Sequence, residues 1–189
     1  MTVNVFHKHL PKGLGLAQVL INKAPFVSLA WDQRQKSRLH AMDSQGQEVA
    51  IFIPRGKVLR SGDVLLSEEG AFLRIESAPE SLLHISACPI HSAPHDLLRA
   101  AYHLGNRHIP IEVQAQHLKI EPDHVLENLL VSMGLIVKHV DAPFEPESGA
   151  YAETAHAHSK SHHHGVDEHE THHHHHDSHS HADHPHAHD

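Results

Sequence analysis

The sequence predicts an α+β protein in parts: a small all-β unit over residues 1–70, a βαββαβ unit over 71–141, a linker at 142–155 and a disordered histidine-rich tail over 156–189. Three observations predict it. Short β-prone runs separated by turn residues fill the first third. After Gly70 the apolar period lengthens twice to that of a helix. From His156 onward Val166 is the only large aliphatic residue, so the tail cannot bury enough apolar surface to offset the entropy of ordering.

In the first unit the strand candidates are Val3 to His9, Phe26 to Trp31, Ser37 to Met42, Glu48 to Ile53 and Val64 to Ser67. Turn signals at Pro11-Lys12-Gly13, Asp43-Ser44-Gln45-Gly46, Pro54-Arg55-Gly56 and Ser61-Gly62-Asp63 divide them. The pattern suits a compact barrel or sandwich. Arg34, Lys36, Arg38 and His40 alternate, which would set them on one face of a strand, either simply solvated or docked on an acidic partner.

The second unit opens with apolar strand material at Phe72 to Ser77 and Leu82 to Ala87, read as one interrupted strand or two. Ser92 is positioned to cap a helix whose Leu97, Leu98, Ala101 and Leu104 share a face, with Gly105 as its stop. Strands at Ile109 to Val113 and His117 to Ile120 follow. Pro122 then opens a second helix at the position where its missing N–H is harmless. Val125, Leu126, Leu129, Leu130 and Met133 line that helix, Gly134 ends it, and Leu135 to Val140 is the last strand. The order is close to that of a ferredoxin-like domain, in which two helices cover one face of a four-stranded sheet and the other face is left for a partner. Pro143, Glu145, Pro146, Glu147 and Gly149 mark the linker.

Charge divides the chain where order does. Residues 1–140 carry 14 Lys/Arg against 13 Asp/Glu, whereas Lys160 stands alone against 10 acids in 141–189. A nearly neutral body argues against nucleic acid, which needs a basic patch. No apolar run approaches the roughly 20 residues of a membrane span, and the first ten residues lack the apolar core of a signal peptide. A cytoplasmic protein is expected. The single Cys88, in an apolar stretch, reads as a buried thiol and excludes an intrachain disulfide.

The 27 histidines carry the functional signal. Neutral imidazole binds nickel, zinc and copper alike, and several on one flexible segment raise each other's effective concentration around an ion. In the tail, His156 and His158, His162, His163 and His164, His172, His173, His174, His175 and His176, and His179 and His181 form such groups, as do His184, His186 and His188. Asp167, Glu168, Glu170, Asp177 and Asp183 add oxygen ligands. An expression tag would be a plain run, not this longer stretch interrupted by acids.

Eleven histidines lie in the body. His7, His9, His40, His84, His117 and His139 fall on expected strands without a ligand-spaced partner. His91 and His95 are four apart, but His91 precedes the helix and Pro94 lies between them. His103 and His108 are five apart, about 140° around a helix axis, and cannot clamp one ion as the His-Glu-x-x-His pair of a zinc peptidase does. An isolated surface histidine can still form a metal site if a two-fold axis brings its symmetry mate opposite. No general base beside an open metal position, phosphate loop or Ser/His/Asp set is apparent, which argues against a metal-dependent hydrolase.

Several stretches together are familiar: Asp32-Gln33-Arg34-Gln35-Lys36-Ser37-Arg38, Phe52-Ile53-Pro54-Arg55-Gly56, Gly62-Asp63-Val64-Leu65, Tyr102-His103-Leu104-Gly105-Asn106-Arg107-His108, Glu121-Pro122-Asp123-His124-Val125-Leu126 and Ala142 to Tyr151. In this order they closely resemble the UreE family of urease accessory proteins. The resemblance implies a nickel metallochaperone: a homodimer with an N-terminal β domain that docks partners and a C-terminal ferredoxin-like metal-binding domain. By its place in the motif, His108 matches the histidine that binds nickel from both subunits, and His103 matches one taken as structural. Some relatives carry a His-x-His pair just before the second helix; here that register holds Pro122-Asp123-His124, so His124 remains without its mate. The implied partners are the urease accessory GTPase and the urease apoprotein complex. A metal buffer without delivery uses the same ligands. Loading on neutral imidazole should weaken as pH falls through about 6.5.

Overall fold

The computed structural model describes residues 3–90, 92–93 and 95–148. Over these the chain is mixed α+β, mostly sheet with few helices. Ten strands are β1 Asn4–Leu10, β2 Phe26–Leu29, β3 Arg38–Met42, β4 Glu48–Phe52, β5 Val64–Ser67, β6 Phe72–Ser77, β7 Pro79–Ser86, β8 Glu112–Val113, β9 His117–Ile120 and β10 Ile136–Pro143. The helices are α1 Gln18–Lys23, α2 Trp31–Arg34, α3 Asp96–Gly105 and α4 His124–Ser132.

The first sheet has six strands in the order β2-β6-β5-β1-β4-β3. Its core gathers Phe6, Val27, Leu29, Val49, Ile51, Leu65, Leu73 and Ile75. Two expectations are corrected here. The first unit is not all β, because α1 and α2 interrupt it. Trp31, expected to end a strand, starts α2: the Gln33 side chain accepts the Ala30 N–H at 3.0 Å and Glu80 accepts the Trp31 N–H at 2.9 Å, so the helix's first donors are satisfied. Phe72–Ser77, expected in the second unit, instead pairs in parallel with β2 and antiparallel with β5. The change of sheet thus falls between Ser77 and Pro79, not at Gly70.

The second sheet runs β10-β7-β9-β8, all neighbours antiparallel. Leu83, Ile85, Leu118 and Ile120 turn one face to Ala100 and Leu104 of α3 and to Leu126 and Leu130 of α4. Alternation along the strands sends His84, His117 and Lys119 to the opposite face. β8 is shorter than the expected strand, because Pro110 has no N–H for a ladder.

Both helix starts differ from expectation. Ser92 caps nothing: its hydroxyl accepts the Cys88 N–H at 2.7 Å and donates to the Gly134 carbonyl at 3.2 Å. Cys88 itself is half-buried, not buried. At α4 the cap is Asp123, whose carboxylate accepts the N–H groups of Val125 and Leu126 at 2.8 and 2.9 Å, so Pro122 lies outside the helix. A short carboxylate satisfies two orphan donors where proline satisfies none. Gly134, with φ of 82°, ends α4 as expected.

Residues 142–148, expected to begin a linker, are held in place. Phe144 is fully buried against Trp31 and Leu82. Arg34, also fully buried, donates to the Leu29 and Phe144 carbonyls and to Glu145 at 2.6 Å. Arg60 reaches the Pro146 carbonyl at 2.6 Å. Arg34 therefore does not share an exposed strand face with Arg38 and His40.

Candidate metal centre

α3 is amphipathic, with Ala100 and Leu104 buried and Leu98 and Tyr102 on its outer side, 71% and 67% exposed. Its end is built by successive tight turns. Arg107 N–H donates to Leu104 at 3.0 Å and His108 N–H to Gly105 at 3.0 Å, while the Arg107 guanidinium reaches the His103 carbonyl at 3.1 Å. His108 then adopts φ of 57°, the left-handed conformation that usually falls to glycine after a helix. Gly105, expected to supply the stop, is an ordinary helical residue. The result is an exposed imidazole on a strained residue just past the helix end.

His103 is half-buried within α3, one residue from the exposed Tyr102 and edge-on to its ring at 5.5 Å. His124 is the exposed first residue of α4. A shallow cleft lined by Ile109, Pro110, Glu121, Pro122, Asp123 and Leu126 joins the segment after His108 to the one before His124. Hydrogen bonds from the Leu126 and Val125 N–H groups hold the Asp123 carboxyl below its usual range, with His124 and Arg107 adding in the same sense. The two motif segments therefore meet around one carboxylate. A groove lined by Leu97, Leu98, Ala101, Val113 and Leu118 runs beside α3.

The remaining body histidines divide by partner. His9 contacts the buried Asp63 at 2.7 Å and His139 contacts Glu127 at 3.1 Å. His84 and His117 stack on each other, a pairing that spacing could not reveal because it depends on cross-strand register. No group of three or more His, Cys, Asp or Glu suited to an ion occurs among the described residues. His91 and the tail ligands His156, His158, His162, His163, His164, His172, His173, His174, His175, His176, His179 and His181 lie outside the described residues.

Two family models match end to end. The UreE urease accessory protein N-terminal domain covers residues 6–78 and the C-terminal domain covers 80–189. The chain belongs to the UreE family of urease accessory proteins. The division between the two family domains coincides with the change of sheet between β6 and β7. The chain is 56% identical over 150 residues to the urease accessory protein UreE of Paracidovorax citrulli, covering 79% of this chain and 71% of that one. It is 54% identical over 151 residues to that of Albidiferax ferrireducens, with 80% and 87% covered. To that of Verminephrobacter eiseniae it is 57% identical over 143 residues, with 76% and 85% covered. These UreE relatives are accessory proteins, not ureases. No helix among the described residues is long and apolar enough to cross a membrane.

Proposed function

We propose that this chain is a cytoplasmic nickel metallochaperone that works as a homodimer and delivers nickel to the urease maturation complex. The single observation that carries the reading is His108: an exposed imidazole held in the left-handed region at the end of a helix whose outer face is apolar. Membership of an accessory family supports the role in urease assembly.

The geometry suits a two-fold site. Leu98 and Tyr102, one turn apart, and the groove beside them form apolar surface that a second copy would cover. The His108 of each copy would then meet at the axis, supplying two imidazoles that one chain lacks. His124, exposed across the cleft from the same segment, is the next ligand to hand. In this reading β7 to β10 with α3 and α4 follow a ferredoxin-like plan, which the strand order β10-β7-β9-β8 supports.

The tail histidines from His156 to His181 act in this reading as a high-capacity antenna for nickel, with zinc and copper competing for the same nitrogens. Metal passes from the dimer to the urease accessory GTPase and the urease apoprotein. Calorimetry with nickel on a variant ending at residue 149 tests the assignment. One tight ion per dimer is expected, and His108→Ala should remove it. Retention of that ion by His108→Ala would overturn the interface site. A buffer without delivery would lose nearly all function with the tail, whereas a chaperone keeps measurable urease activation.

A further inference from the structure

The second sheet has one face under α3 and α4, and on the other face two half-buried histidines meet. His84 of β7 lies opposite Lys119, and His117 of β9 lies opposite Ser86, so the two histidines are diagonal neighbours across an antiparallel pair. Diagonal positions are within reach of long side chains. Their rings stack with centroids 4.4 Å apart and planes inclined by 24°.

We infer that His84 and His117 form a second divalent-metal site, separate from His108, on the face of this sheet turned away from α3 and α4, beside the part that Leu82, Lys119 and Glu112 bury. Two imidazoles bound cis to one ion at about 2.0–2.1 Å bring their ring centres to roughly 4.5–5 Å. The observed separation is already close to that. A rotation of the rings out of their stack would turn one nitrogen of each toward a shared ion. The ligand set is two nitrogens without a carboxylate, which selects nickel, zinc or copper over magnesium or calcium.

The charges around the pair permit this. Lys119 is paired with Glu112 at 2.9 Å and donates to the Pro143 carbonyl at 2.6 Å, so its charge is partly offset. Lys138, opposite His84 on β10, is exposed to solvent. Ser86 is neutral. Burial, reinforced by His117, Lys119 and Lys138, lowers the His84 pKa, which favours the neutral ring that coordinates. Two protein ligands leave the remaining positions to water or to an arriving imidazole, so the site is of modest affinity and exchanges its ion readily.

The test uses the full chain with nitrogen-labelled histidine and zinc chloride as a diamagnetic probe, read by NMR of the ring nitrogens. The His84 and His117 signals are expected to shift together and saturate at one zinc concentration. In His84→Asn, half-shift of His117 should need roughly tenfold more zinc or fail altogether, and His117→Asn should do the same to His84. Backbone amide spectra matching the parent establish that each variant is folded. Ring signals unmoved at zinc levels that saturate His108, a His117 shift that survives His84→Asn, or a response to inorganic phosphate in place of zinc would each overturn the site. The His108 signal, followed in the same spectra, separates failure here from failure of the interface reading.

Discussion

His108 sits at φ of 57°, where a residue with a Cβ is strained by roughly 1–2 kcal/mol. Strain of this kind at an exposed side chain points to use of the side chain rather than to stability. His108→Gly should therefore leave the unfolding free energy within about 1 kcal/mol of the parent while abolishing the tight nickel ion, a separation that denaturant titration and calorimetry together would show. Asp63 offers a contrasting residue. It is 2% exposed, and burial alone would raise its pKa, but hydrogen bonds from His9 and from the Lys12 and Arg60 N–H groups outweigh this and hold it below the usual range. A depressed carboxylate contributes stability above its unfolded pKa of about 3.9, and that contribution is lost as pH falls through the folded value. Asp63→Asn is expected to lower stability at neutral pH by about 1–3 kcal/mol and to flatten the acid limb of stability against pH. A limb of unchanged steepness would place the acid sensitivity elsewhere.

At the scale of elements, the end of β10 depends on a helix more than 100 residues earlier in the chain. Arg34 closes α2 and is spent on Leu29, Phe144 and Glu145. Arg34→Ala leaves Glu145 without its buried partner and opens the packing of Trp31 on Phe144. A loss of about 3 kcal/mol is expected by chemical denaturation, with Arg34→Lys recovering little because lysine lacks the forked donors. This dependence explains what the sequence concealed. Arg34, Lys36 and Arg38 alternate as a strand would, but only the tertiary partners reveal that Arg34 points inward from a helix. Likewise Phe72–Ser77 reads plainly as a strand, yet its sheet is decided by β2 and β5. By contrast α3 and α4 were legible, because Leu97, Ala101 and Leu104, and Leu126 and Leu130, keep a helical period that burial then uses. On α3 the outer Leu98 carries its own prediction. If the proposed dimer forms through this face, Leu98→Asp should reduce the mass in solution from twice the chain mass to 21.0 kDa; a dimer mass kept by the variant would contradict this contact.

For the whole molecule, the family was legible in the motif ending in His108, and the two family models match residues 6–78 and 80–189. The site's surroundings were less so: the left-handed turn at His108, the cleft toward His124 and the His84 and His117 pair all arise from register and helix ends that spacing does not encode. The account assigns capacity to the tail and specificity to the body, which places the decisive test at His108. Nickel calorimetry with mass measured in the same solution, on chains ending at residue 149 with and without His108→Ala, tests this most directly. One tight ion per dimer, lost in the variant while the dimer persists, is the predicted result. A tight ion that survives His108→Ala, or that binds a monomer, would contradict the account.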